Sequence, residues 1–209
     1  MIHNEMPKFL LGSNAIQSAI EFDYYITHSH MFRHECITKG MYAFVSWKWV
    51  LPLVEWIGNR KCLEVMAGTG YLSYALREKG VNIIATDDQT WYQYFTNKEI
   101  TPIEALTANR AIWKYGKDID VLIISWPPDD DKAYQALRLI NYVNPNAYVI
   151  YIGEFDISCA DDNFFAHFNE IKDDQLFNKV VANFERFMLI KDRPALGKYK
   201  QLQNNTNES

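Results

Sequence analysis

Residues 61–76, Lys-Cys-Leu-Glu-Val-Met-Ala-Gly-Thr-Gly-Tyr-Leu-Ser-Tyr-Ala-Leu, constrain the fold of this chain more than any other stretch. A short apolar strand, Cys62 to Val65, runs into Ala67-Gly68-Thr69-Gly70. An amphipathic helix with Leu72, Ala75 and Leu76 on one face follows. Glycine at such a junction lets the backbone turn sharply and lets a ligand lie against it with no Cβ between them. The helix start beyond it points N–H groups and the positive end of its dipole into the same space. A strand, a small-residue loop and a helix in this order make a nucleotide cradle of the α/β kind.

The loop argues against the commonest occupants. A dinucleotide site reads G-x-G-x-x-G/A, and a P-loop needs Lys and Ser/Thr directly after its last glycine. Here Ala67 and Gly70 give part of the first pattern, and Tyr71-Leu72 replace the second. Glu64 lies inside the strand, where it would repel a diphosphate but could accept hydrogen bonds from an ammonium. E-x-x-A-G-T-G therefore suits a cationic, phosphate-free nucleoside such as S-adenosylmethionine.

The next segments extend the pattern. Val81 to Thr86 reads as a second strand ending at Asp87-Asp88. An acid about 20 residues beyond the glycine loop is placed to hold a ribose diol. Asp87 is the first candidate and Asp88 the second. Pro102 to Leu106 reads as a short third strand with Glu104 at its rim. Asp120 to Ser125 is a continuous apolar, β-branched run of the kind buried on both faces of a parallel sheet, and it ends in Ser125-Trp126-Pro127-Pro128. Asp131 to Tyr142 reads as a helix, and 146–152 as a fifth strand ending at Gly153-Glu154. A helix through Phe164, Phe165 and Phe168 follows, capped by Asp161 or Asp162. Residues 184–190 read as a late strand in an antiparallel hairpin with 177–182. These elements predict a seven-stranded, mostly parallel sheet with an antiparallel C-terminal hairpin.

Across about residues 41–192 the chain resembles the class I S-adenosylmethionine-dependent methyltransferase superfamily. The resemblance implies a Rossmann-like three-layer sandwich. It assigns Glu64, Ala67, Gly68, Thr69 and Gly70 to the methionine part of the cofactor and Asp87 to the ribose. Glu104 and Ala105 would flank adenine, and Ser125, Trp126, Pro127 and Pro128 would lie beside the transferable methyl. Tyr42-Ala43-Phe44, the Trp-Pro-Pro and Tyr151-Ile152-Gly153-Glu154 are similar to those of a poorly characterised methyltransferase-like group. Members that methylate amino groups carry [Asn/Asp]-Pro-Pro-[aromatic] after the fourth strand. Ser125 or Trp126 replaces that amide here, and Asp129 replaces the final aromatic. A nucleic-acid acceptor is thereby disfavoured, though it stays as an alternative beside a non-catalytic binding protein. The motif also has a purely structural reading, as a strand terminator that packs.

Methyl transfer from a sulfonium is an in-line displacement that needs alignment and exclusion of water more than a protein nucleophile. Trp126 and Pro127 are the candidates beside the methyl. Glu154 is the candidate general base, with a capping carboxylate as the alternative. No sequence neighbour of Cys159 argues for a lowered thiol pKa.

The chain before residue 60 is organised differently, as a helical cover. Residues 14–26 show helical spacing after a possible Ser13 or Asn14 cap. Residues 42–58 form an aromatic-rich helical stretch broken near Pro52. In the resembled superfamily such helices cover the cofactor, so Tyr42 is a candidate contact for its methionine end. For Trp49 and Trp56 core packing is the better reading. Between these stretches His28, His30, His34, Glu35 and Cys36 crowd together. Their spacing fits no metal-ligand pattern, so no metal is expected and a polar lid is preferred.

Composition supplies the boundaries. At 209 residues and 48% hydrophobic, the chain reads as a single domain over 1–200: a helical cover to residue 60, a core over 61–192, and a disordered tail over 201–209. No run approaches a membrane span, and no secretory signal is evident. Three cysteines make no paired framework, which points to a reducing, cytoplasmic setting. A net charge of −5 disfavours a nucleic-acid partner, with Lys191, Arg193, Lys198 and Lys200 the nearest basic group. The expected partner is a small-molecule or protein methyl acceptor.

Overall fold

The structure is a computed structural model that describes residues 15–90, 99–155 and 158–202, with side chains from residue 26 onward. Its centre is a seven-stranded sheet: β1 Cys62–Val65, β2 Ile83–Asp87, β3 Glu104–Ala105, β4 Val121–Ser125, β5 Tyr148–Gly153, β6 Phe168–Glu170 and β7 Arg193–Tyr199. The spatial order is β3-β2-β1-β4-β5-β7-β6. Strands β1 to β5 pair in parallel, and β7 runs antiparallel between β5 and β6. This is the Rossmann-like three-layer sandwich that the sequence predicts.

Strands β1, β2, β4 and β5 pack on both faces, and their side chains divide by period two; β3, at the sheet edge, is not buried. Cys62, Ile83, Val121, Ile123, Ile150 and Ile152 pack one face against α2 (Trp47–Ile57), α3 (Tyr71–Arg77) and α7 (Gln175–Asn183). Leu63, Val65, Leu122, Ile124, Val149 and Tyr151 pack the other against α4 (Ala108–Tyr115), α5 (Lys132–Val143) and α6 (Asp162–His167). Trp49 and Trp56 lie in the first layer, and both satisfy their indole N–H: Trp49 to Phe44 O at 2.8 Å, Trp56 to Asp174 Oδ2 at 3.0 Å.

Four expectations need correction. Helix α2 runs through Pro52 unbroken. Proline removes one backbone bond from a helix, and here Val50, Leu53 and Trp56 hold the helix to the sheet on either side of it. Residues 175–183 are helical rather than a strand. The Asp174 side chain accepts from Leu176 N and Phe177 N, and Phe177 and Val180 share the buried face. The antiparallel partner of β7 is therefore β6, and 184–190 lies in the connector before β7. The third strand is shorter than 102–106, and Phe168 opens β6 rather than closing α6. Asp161 caps α6, accepting from Phe164 N at 2.9 Å.

The cover begins with α1, Ala15–Thr38, which carries the histidine-rich segment as part of a helix. Its described side chains meet the body through a small cluster of Cys36, Met41 and Phe187, with Phe32 beside Phe44 and Phe187. Gly40 ends this segment with φ +84°, and a Cβ there would lie 2.3 Å from Thr69 Cγ2. The Ser13 or Asn14 cap and residues 203–209 of the expected tail lie outside the described residues. No helix among the described residues is long and apolar enough to cross a membrane.

Candidate active site

Strands β1 and β4 are neighbours, and their onward connections run to opposite sides, to β2 and to β5. In an open α/β sheet that reversal leaves a crevice beyond the carboxyl ends of the two strands. A cavity of about 480 Å3 opens there, within the range of small-ligand sites. Met66, Gly68 and Thr69 reach it from the end of β1, Asp87, Asp88 and Thr90 from β2, and Ser125 to Pro128 from β4. Arg33 and the segment Gly40 to Ala43 reach it from the cover.

Backbone strain gathers at the same rim. Met66 (φ 56°), Gln89 (φ 61°) and Trp126 (φ 50°) all hold left-handed conformations just past the ends of β1, β2 and β4. Such conformations cost on the order of 1–3 kcal/mol each and persist where the surroundings impose them. Gly68, with φ +55°, has open space where a Cβ would stand.

The floor is internally bonded. Asp87 accepts from Gly68 N through Oδ2 at 2.8 Å and from Gln89 N through Oδ1 at 2.7 Å. These bonds fix the orientation of the carboxylate at the end of β2. Asp88 Oδ1 accepts from Thr90 N and Oγ1. Glu64 is buried beneath the loop, where it accepts a hydrogen bond from Ser73 Oγ and does not line the cavity. Burial pushes its carboxyl up to about 7, against the pull of Ser73 and Arg77. Ala67 and Gly70 shape the turn without lining the cavity, and Gly70 at φ +87° is the left-handed N-cap of α3.

The sequence candidates thus fall into two groups. Tyr42, Gly68, Thr69, Asp87, Asp88, Ser125, Trp126 and Pro127 come together around one space. Glu104 and Ala105 do not line it: the Glu104 carboxylate is taken by Lys114 at 2.6 Å and Tyr115 at 2.5 Å. Glu154 is buried, its Oε1 accepting from Lys191 N at 2.9 Å, and it too stands outside the lining. Cys159 is buried, and burial pushes its thiol up to about 11.

Two residues escaped the sequence reading. Asp192 is fully buried and accepts the Trp126 indole N–H through Oδ2 at 3.0 Å. Arg33 comes from the expected lid, and its Nε is buried with no hydrogen-bond partner. No local pattern announces either one, because their meaning depends on contacts across the fold. Among the described residues no group of three or more His, Cys, Asp or Glu is placed to share a metal ion.

No protein-family model matches this chain, and no curated protein does. Solved structures do resemble it. One is the 1,6-didemethyltoxoflavin-N1-methyltransferase of Burkholderia thailandensis with bound 1,6-didemethyltoxoflavin and S-adenosylhomocysteine. It is 13% identical over 93% of both chains, with a TM-score of 0.47. A second is TehB of Haemophilus influenzae, 14% identical over 79% of this chain and 67% of its own, with a TM-score of 0.43. A third is the magnesium protoporphyrin IX methyltransferase of Synechocystis PCC 6803 with bound SAM. It is 12% identical over 92% of this chain and 87% of its own, with a TM-score of 0.37.

Proposed function

We propose that the chain is an S-adenosylmethionine-dependent methyltransferase acting on a small molecule or a protein side chain. The observation that carries this reading is the convergence of the β1, β2 and β4 ends on one covered cavity. A nucleoside-sized ligand there meets a small-residue loop, two carboxylates and an aromatic wall in turn.

Gly68 and Thr69 would take the amino-acid half of the cofactor, and Asp87 the ribose hydroxyls, with Asp88 beside it. Arg33 is the cation for the methionine carboxylate, because Lys132, the other cation lining the cavity among the described residues, already pairs with Asp130. Glu64 supports the loop from below, its carboxyl held by the Ser73 hydroxyl. The open space over Gly68 and the oriented carboxylate of Asp87 fit such a group. When bound, the cofactor supplies an electrophilic methyl. The chain's own contribution is alignment and dryness: Tyr42 and the Gly40–Thr69 seam close the cover, while Ser125, Trp126 and Pro127 wall the acceptor side. Glu154 meets a backbone amide rather than the cavity, so proton removal is not assigned to it.

The nucleic-acid reading loses ground on two observations. Arg193 pairs with Glu170, and Lys198 bonds Asn146 O, which commits two of the four basic residues near the C-terminus. Trp126 spends its donor on Asp192 and so offers no hydrogen bond to a base.

Calorimetric titration with S-adenosylmethionine and S-adenosylhomocysteine tests the reading. Micromolar binding followed by labelled-methyl transfer to a component of a cell extract is the expected result. A folded chain that binds neither compound overturns it.

A further inference from the structure

Trp126 is held in an unusual way. Its backbone is left-handed, its amide donates to Ile152 O at 2.7 Å, and its indole N–H reaches Asp192, 66 residues on in sequence. Its ring meets Tyr42, with centroids 6.4 Å apart and planes 36° apart, so the two rings form one continuous wall. Asp192 is 0% exposed, and its Oδ1 meets no donor. A half-satisfied buried carboxylate is unfavourable, and a fold retains one where it holds something in place. The groups that face it are Glu154 at the end of β5, Arg186 in the connector and Cys159 in the loop after β5. Lys191 N binds Glu154, so the connector's end is fastened to the sheet at both carboxylates.

We propose that Asp192 is the positioning residue of the acceptor side. By accepting the indole N–H it fixes Trp126 as a flat wall with no free donor, and it thereby selects an acceptor recognised by ring contact rather than by hydrogen bonding to the indole. This rests on the methyltransferase reading for the word acceptor. The geometry of the Asp192–Trp126 pair does not depend on it. Burial pushes the Asp192 carboxyl up to about 6; Glu154 adds to this, and the Trp126 N–H and Arg186 oppose it. The pair is thus strongest above that pH and weakens as the carboxyl gains a proton below it.

The test is nuclear magnetic resonance on the whole 15N-labelled chain, with the Trp126 indole signal identified by its loss in Trp126→Phe. In wild type this signal should move with a midpoint near pH 6 and exchange slowly with solvent. Asp192→Asn keeps an acceptor oxygen, so exchange should stay slow while the pH movement disappears. Asp192→Leu should speed exchange at least about tenfold. Both variants should bind S-adenosylhomocysteine within about twofold of wild type, because the loop and Asp87 are untouched. A pH movement that survives in Asp192→Asn overturns the proposal. Loss of S-adenosylhomocysteine binding in that variant also overturns it, by showing a general structural role. If wild type itself binds no S-adenosylhomocysteine while the indole signal behaves as described, the methyltransferase reading fails and the positioning contact stands.

Discussion

The floor and the cover of the cavity are built on opposite plans. The floor is the rim of a sheet packed on both faces, and its polar groups are tied to one another: Glu64 to Ser73, Asp87 to Gly68 and Gln89. The described part of α1 packs on the body through Cys36, beside Met41 and Phe187, and it leaves Met31 66% and Phe32 44% exposed. Burial is therefore concentrated below the cavity, and α1 above it is held by fewer apolar contacts. Elements that must admit ligands are drawn from the less stable end of a fold.

The contrast is sharpest in a core truncation. Trp49→Ala removes a fully buried indole under the sheet and should cost about 3–5 kcal/mol, read by thermal or urea unfolding. A loss under 1 kcal/mol would break the idea that the floor carries the fold.

Next comes Asp87→Ala. It should weaken S-adenosylhomocysteine about a hundredfold by calorimetry, since a charge-assisted acceptor is lost and the loop's Gly68 N–H is released. Retained affinity would move the ribose contact to Asp88.

Glu64→Gln tests the floor through pH. An acid held near 7 keeps its proton in the folded chain at pH values where the unfolded chain, at its ordinary 4.5, has given it up. Folded-state stability is therefore full below about 4.5 and falls as pH rises toward 7, by on the order of 2–3 kcal/mol from this group. The Gln variant should flatten that decline, and an unchanged pH profile would show that Glu64 is ionised throughout.

The smallest effect is expected in the cover. Phe32→Ala should cost no more than about 1 kcal/mol, because the ring is partly in water already. A cost near that of Trp49→Ala would merge the two regions into one cooperative unit.

Much of the floor is legible in the sequence because its signals are local. Val121 to Ile124 can only be a strand buried on both faces, and Asp87 sits at a fixed spacing from the Gly68 loop. The cover and the far edge were less legible. The histidine-rich segment is polar and largely exposed, so no apolar periodicity marks it as part of α1. The C-terminal pairing was misplaced because β7 contains Pro194 and Gly197, residues that argue against a strand. The structure supplies the reason for the glycine: a Cβ at 197 would lie 2.5 Å from the Phe168 ring on the neighbouring strand. Pro194 stands second in β7, near the end where the chain enters the sheet. Asp192 acts through Trp126, 66 residues away, and Arg33 acquires its place only from a cavity that distant elements form. A sequence shows a residue's type and spacing but not its opposite number.

The seam between Gly40 and Thr69 bears on how this protein can vary. Any side chain at 40 would push into Thr69 and lift the cover from the loop, on a backbone already at φ +84°. Gly80 is equally left-handed, at φ +79°, but faces open space. A library randomised at both positions and selected for a folded chain that binds S-adenosylhomocysteine should recover glycine alone at 40. At 80 it should return asparagine and aspartate as well, the residues best able to occupy that backbone region.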